Sequence, residues 1–99
     1  MNCENSVVVS GAIHLPKGDM VGRNRHGTYL KFALKQMTTG YDGVERPSFL
    51  PVRVFDQALQ EQFRTKGHGD SVRIAGTLRS STGSGEMFIL AESIENTKE

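Results

Sequence analysis

The sequence has one cysteine, no tryptophan and no long hydrophobic run. Cys3 stands alone, which excludes an internal disulfide and a cysteine-based metal site. No apolar stretch approaches the ~20 residues of a membrane-spanning helix, and the first residues lack the basic and apolar segments of a signal peptide. With 99 residues, the expectation is a single cytoplasmic domain over residues 1–99, with a core of about residues 6–94 and no membrane partner. So small a core makes self-association a natural way to bury more surface.

The net charge of +1 is too close to neutral to indicate a nucleic-acid partner by itself, but the charges are unevenly distributed. Residues 17–35 are basic, with Lys17, Arg23, Arg25, Lys31 and Lys35 against Asp19 alone. Residues 86–99 are acidic, with Lys98 as their only cation. Folding can gather the basic part on one face, as phosphate binding requires, whereas solvated surface charge is the alternative interpretation.

Alternating and β-branched segments predict five strands, at residues 6–13, 28–36, 48–55, 71–79 and 86–94. In the second strand Leu30, Phe32 and Leu34 point one way, and in the third strand the core positions are Leu50, Val52 and Val54. The fourth strand turns Val72, Ile74, Gly76 and Leu78 inward. The fifth strand is apolar on both faces, so alternation does not decide which of its residues face the core. Pro51 cannot donate a ladder hydrogen bond, so the third strand should be an edge or bulged there.

One helix is predicted at residues 57–64, with Asp56 as its N-cap and Leu59 and Phe63 facing the core. Three strands, a helix and two strands is the order of the oligonucleotide-binding (OB) fold. The fold class is therefore all-β, a five-stranded OB-fold barrel with one helix between strands 3 and 4. Gly11 and Gly76 suit sharp bends of such a barrel. An α+β sandwich is an alternative, as is an SH3-like barrel, although that fold lacks a helix at this position.

An OB fold binds its ligand on the face of its second and third strands, between two loops. The outward positions there combine aromatic rings with cations: Tyr29, Lys31, Lys35, Phe49, Arg53 and Phe55. The fourth strand adds Arg73 and Arg79, and the loops add Arg23, Arg25 and Tyr41, with His26 a further candidate. Rings stack on unstacked bases and cations follow phosphates, so this face predicts single-stranded DNA binding without sequence preference.

Other interpretations of the face remain open. A register shifted by one residue would turn Phe49 and Phe55 into the core. Tyr29 could be an ordinary surface residue or part of a subunit interface, and Lys31 and Lys35 could serve solubility alone.

Two segments carry a family resemblance. Residues 50–59, LPVRVFDQAL, and residues 69–79, GDSVRIAGTLR, resemble the third strand with helix start and the fourth strand of the bacterial and phage single-stranded DNA-binding proteins. Residues 7–11 and 30–34 match more loosely, so the resemblance covers about residues 6–94.

The resemblance implies that Phe55 is a DNA-stacking phenylalanine, that Phe49 stands where the family often has a stacking tryptophan, and that Tyr41 is near a further aromatic position. The family usually forms tetramers, and a shorter relative, the primosomal replication protein N, is a dimer of about this length. The sequence departs from the family in having no tryptophan and no acidic tail after the last strand. The expectation is thus a self-contained strand binder rather than a protein that recruits partners through a tail.

Enzyme chemistry is not expected. His14, His26 and His68 lack a metal-ligand spacing, no nucleophile-elbow or phosphate-loop motif occurs, and the carboxylates are scattered. The sequence therefore predicts a non-enzymatic protein without cofactor or metal that binds single-stranded DNA in replication, recombination or primosome assembly. It would act as a homodimer or homotetramer, with replication or primosome proteins as further partners. The alternative is an OB-fold protein-interaction adaptor with little affinity for DNA.

Overall fold

The computed structural model describes residues 3–15, 21–25 and 27–97. In chain order the elements are β1 (Val7–His14), β2 (Val21–Asn24), β3 (Gly27–Thr39), β4 (Glu45–Val54), α1 (Gln57–Phe63), β5 (Ser71–Ser80) and β6 (Met87–Asn96). Lys17, Asp19, His26 and Lys98, which enter the charge and loop predictions, lie outside the described residues.

The strands form one sheet that closes on itself. Its order is β1-β5-β6-β4-β3-β2, and β1 also pairs with β3. β1 is antiparallel to β5 from Val7 to Ala12 and to β3 from Ala12 to His14. β4 and β6 meet in parallel at Val52 and Arg53. Five strands thus close an OB-type barrel, in agreement with the predicted fold class.

Two details of the prediction are wrong. The described chain has six strands rather than five, and the helix lies between β4 and β5 rather than between the third and fourth strands. The additional strand is β2, which pairs with the first residues of β3 in a hairpin outside the closed part of the barrel. The four residues of this strand, VGRN, show no apolar alternation and include a glycine, so the sequence predicted a loop there. Among the five strands that close the barrel, the helix still follows the third.

The helix begins where the sequence predicts. The Asp56 carboxylate accepts hydrogen bonds from the backbone N–H groups of Ala58 and Leu59, at 2.8 and 3.3 Å. These bonds satisfy donors that the first turn of a helix cannot pair internally. Leu59 and Phe63 are buried, as predicted, and they place α1 against one end of the barrel.

The core follows the predicted alternation almost throughout. Its buried side chains include Ile13, Leu30, Phe32, Leu34, Val52, Val54, Val72, Ile74, Ile89 and Ala91. Leu78 is the exception, because it was predicted to be in the core and is 42% exposed. The β1–β5 pairing ends at Gly76, so beyond it β5 has only β6 as a paired strand and the hairpin projects from the barrel.

Pro51 lies at an edge, as predicted. β4 pairs with β3 on one side over its whole length, and β6 joins the other side only from Val52. Pro51 is therefore tolerated, because its missing N–H is needed by no neighbouring strand. The described residues contain no helix long and apolar enough to cross a membrane.

Gly11 and Gly76 mark two points where backbones come very close. A Cβ atom on Gly11 would overlap the carbonyl oxygen of Lys35 in β3. A Cβ atom on Gly76 would overlap the carbonyl oxygen of Leu90, beside the register shift that sets Glu92 outside the β5–β6 ladder. Neither neighbour is the end of a flexible side chain, so the barrel cannot accommodate a larger residue without moving a strand.

Gly76→Ala is therefore expected to lower the free energy of unfolding by about 1–3 kcal/mol, the usual cost of overpacking. Gly83→Ala is the matched control, because a Cβ atom there meets nothing within 4 Å. Urea denaturation followed by circular dichroism measures both. Equal midpoints for the two variants would contradict the close approach at Gly76.

Candidate nucleic-acid interface

The outer face of β3 and β4 combines exposed aromatic rings with cations. Phe49 is 48% exposed and Phe55 is 38% exposed, whereas Val52 and Val54 between them are buried. The two phenylalanines therefore point outward, and the alternative register shifted by one residue is wrong. Lys31 and Lys35 are exposed on the neighbouring strand, where Lys35 is directly opposite Phe49.

At one end of the face, Arg53 is held among aromatic rings. Its guanidinium carbon lies 4.4 Å from the centroid of the Phe88 ring and 5.7 Å from that of Tyr29. Phe55 packs on Tyr29 at 5.0 Å between centroids and meets the edge of Phe88 at 6.4 Å. Cation–π attraction and packing therefore fix the direction in which Arg53 presents its N–H donors.

Tyr29 lies on the predicted face but is not the open stacking surface that the sequence suggested, because only 9% of it is exposed. Gly22 of β2 is directly opposite it, and a Cβ atom at Gly22 would come 2.7 Å from the ring. The ring fills the space left by this glycine, and Phe55 packs against it. Tyr29 thus supports Phe55 from below.

The other end of the face is formed by Phe49 and two histidines. The rings of His14 and Phe49 are 4.8 Å apart, and those of His14 and His68 are 5.4 Å apart. Nδ1 of His68 accepts a hydrogen bond from the backbone N–H of Leu15 at 3.0 Å, so this nitrogen carries no proton in that arrangement. His14 is opposite Ala33 in β3 and so shares the outer face.

Sequence reasoning missed His14 and Phe88. β1 was expected to end at residue 13, one position before His14, so this histidine was placed in a loop. Phe88 lies in an apolar run whose facing could not be decided by alternation. The sequence holds no signal that would have found Phe88, because alternation is broken by the bulge at Glu92, which separates the inward Ala91 from the inward Ile94 by three positions.

A groove of about 500 Å³ joins the two ends of the face. It is lined by the polar or aromatic residues His14, Lys31, Phe49, Arg53 and Glu86, and by Leu15, Phe32, Ala33, Pro51 and Val52. Lys31 and Arg53 are directly opposite each other in the β3–β4 ladder. Like charges in that position repel, so the groove favours an anion between or beside them.

The hairpin tips place three further predicted residues outside the groove. Tyr41 is fully exposed at the β3–β4 turn, where Asp42 forms an ion pair with Arg46 at 2.8 Å. Arg23 and Arg25 are exposed in the β2–β3 hairpin. Arg23 is opposite Thr28, so the register turns it to the other face of the hairpin from Tyr29.

The two arginines of β5 lie in different places. Arg79 is directly opposite Phe88 in the β5–β6 ladder, so it borders the aromatic end of the face. Arg73 pairs with Glu95 of β6 at 3.2 Å and is opposite Ser10 of β1. The structure therefore does not bring Arg73 to the β3–β4 face. Within the described part of the chain, no three His, Cys, Asp or Glu side chains form a group that could hold a metal ion.

Comparison with solved structures shows which fold this is. The chain is similar to the dimeric N-terminal domain of PriB protein from Thermoanaerobacter tencongensis, with 22% identity, a TM-score of 0.70 and coverage of 96% of this chain and 98% of that one. It is also similar to a small single-stranded DNA-binding protein from Streptomyces coelicolor, with 16% identity, a TM-score of 0.72 and coverage of 97% and 96%.

A small single-stranded DNA-binding protein from Mycoplasma pneumoniae is a third neighbour, with 18% identity, a TM-score of 0.68 and coverage of 98% of both chains. No protein-family model and no curated protein sequence matches the chain. At these identities the likeness shows the fold alone, and it confirms the OB barrel that the sequence predicted.

The turn that carries Tyr41 yields a prediction about pH. The hydrogen bond from Arg46 and then that from the Val44 backbone lower the pKa of Asp42 below its ordinary value of 3.8. The ionised Asp42 carboxylate therefore stabilises the folded state fully above pH 3.8, and this stabilisation is lost as the pH falls through the lower pKa of the folded state. A carboxyl ¹³C NMR titration should show Asp42 titrating below 3.8.

Arg46→Gln should bring the pKa of Asp42 back toward its ordinary value, because the largest cause of the shift is removed. Lys35→Gln, which removes a cation from another part of the hairpin strands, is the control and should leave the pKa unchanged. An Asp42 pKa that does not respond to Arg46→Gln would show that the ion pair is not formed in solution.

Proposed function

We propose that this chain binds single-stranded DNA without sequence preference and does no chemistry on it. The observation that carries the proposal is the combination, on one face, of two exposed phenylalanines with Lys31, Lys35 and Arg53. Phe49, Lys31 and Arg53 also line the groove of this face. The solved structures that share the fold over nearly the full chain, PriB and two small single-stranded DNA-binding proteins, support it.

The spacing of the rings suits an extended strand. Phe49 and Phe55 are six residues apart on β4 and its end, about 20 Å at the rise of a β-strand. Bases of a single strand can stack on the two rings, each stack contributing about 1–3 kcal/mol. The intervening phosphates would pair with the cations and release counterions, so the affinity should fall as salt increases. A duplex hides its base faces and would not use the rings.

The other predicted residues take supporting places in this proposal. Tyr41, Arg25 and Arg79 lie on hairpins outside the groove and would contact a longer strand. Arg23 is turned to the other face of its hairpin and Arg73 is paired with Glu95 away from the β3–β4 face, so these two would not lie on the same path. Replication, recombination or primosome assembly is the proposed setting. A homodimer or homotetramer is the proposed assembly, and the dimeric PriB neighbour supports self-association.

The test is fluorescence anisotropy of labelled oligo(dT) at low salt. Phe49→Ala and Phe55→Ala should each weaken binding by about 1–3 kcal/mol, because each removes one stacking surface. Val8→Ala, which trims an exposed apolar side chain of β1, is the control and should bind as the unaltered chain does.

No binding of oligo(dT) by the unaltered chain at low salt would overturn the proposed function and favour the protein-interaction adaptor. Normal binding by the double variant Phe49→Ala/Phe55→Ala, with circular dichroism showing an intact fold, would instead move the site to another face.

A further inference from the structure

Glu86 brings a negative charge into the groove. Its carboxylate oxygen Oε2 lies 3.8 Å from Nη2 of Arg53, and among the described residues lining the groove it is the only carboxylate. The Glu86 side chain is 72% exposed, whereas the Arg53 side chain is 22% exposed. The Arg53 side chain is therefore held in place by its surroundings, whereas the Glu86 side chain can move away from Arg53 into solvent.

The backbone of Glu86 is held although its side chain is exposed. Its carbonyl accepts a hydrogen bond from the Ser81 N–H at 2.8 Å, and its own N–H donates to the Ser84 hydroxyl at 3.2 Å. These bonds close the loop between β5 and β6, next to Phe88. The loop thus delivers a carboxylate to Arg53 from the side opposite the repelling Lys31.

We propose that Glu86 is a built-in competitor for the nucleic-acid backbone, occupying on Arg53 the place that a phosphate would take. This inference rests on the proposed function and adds to it a residue that limits affinity. An anion is favoured there because Lys31 and Arg53 are like charges directly opposite each other in the ladder, and in the free protein the Glu86 carboxylate supplies it. Binding a strand then exchanges an internal ion pair for a phosphate pair, so Arg53 contributes less net attraction than its position suggests.

The exchange has a consequence for salt dependence. When a free cation of the protein pairs with a phosphate, the strand releases the counterion that neutralised that phosphate. When the cation must first give up a carboxylate partner, the net release of counterions is smaller. Removing the carboxylate should therefore steepen the plot of log K against log salt by up to about 0.7 for a single strand, the contribution of one phosphate contact.

The experiment compares Glu86→Gln with Glu95→Gln in oligo(dT) titrations over a range of salt concentrations. The control is matched, because Glu95 also pairs with an arginine of a neighbouring strand, Arg73, away from the groove. Glu86→Gln should tighten binding about two- to fivefold, the strength of an exposed ion pair, and steepen the slope. Glu95→Gln should change neither.

A second comparison assigns the effect to Arg53. In an Arg53→Gln background, adding Glu86→Gln should give no further gain, because the competitor has lost its partner. A gain that persists there would show that the carboxylate acts elsewhere and would overturn the proposal. Unchanged binding by Glu86→Gln alone would also overturn the proposal. Weaker binding would overturn it as well, and would show that Glu86 holds Arg53 in place for the strand. If the unaltered chain does not bind oligo(dT), the proposed function fails first.

Discussion

The barrel closes because β1 pairs with two different strands. Its first part is hydrogen-bonded to β5 and its last three residues to β3, so the sheet becomes a closed surface. Closure needs the tight approach at Gly11, where a side chain would meet the β3 backbone. It also fixes which way β3 and β4 curve, and thereby turns one row of their side chains into the core and the other toward the groove.

The groove gains its chemical character from that constraint. Phe49 and Phe55 are exposed because the valines between them fill the core, and Lys31 and Arg53 are opposite because the β3–β4 register is continuous. The repulsion between these two cations is offset in the free protein by aromatic rings and by Glu86. A face with apolar platforms and cations that need a counter-charge is suited to a flexible polyanion with exposed bases.

The sequence predicted the closed barrel, the helix and the facing of β3 and β4, because alternation and the Asp56 cap are local signals. The prediction from sequence failed where a residue's environment depends on a strand that is distant along the chain. β2 exists because it pairs with β3, and Tyr29 is covered because Gly22 is opposite it. Leu78 is exposed because β1 begins only at Val7, opposite Gly76, and Phe88 lies on the outer face because its neighbours Ile89 and Ala91 turn into the core. Arg73 alternates correctly with the core residues, but alternation does not say which side of a barrel a residue occupies.

The central claim is that one face, that of β3 and β4, receives the strand. Backbone NMR chemical shifts of labelled protein, titrated with oligo(dT), measure this directly. The account predicts perturbations along β3, β4 and the β5–β6 loop, with the Arg73–Glu95 region unaffected. Perturbations centred on that region or on α1, with an unperturbed β3–β4 face, would contradict it.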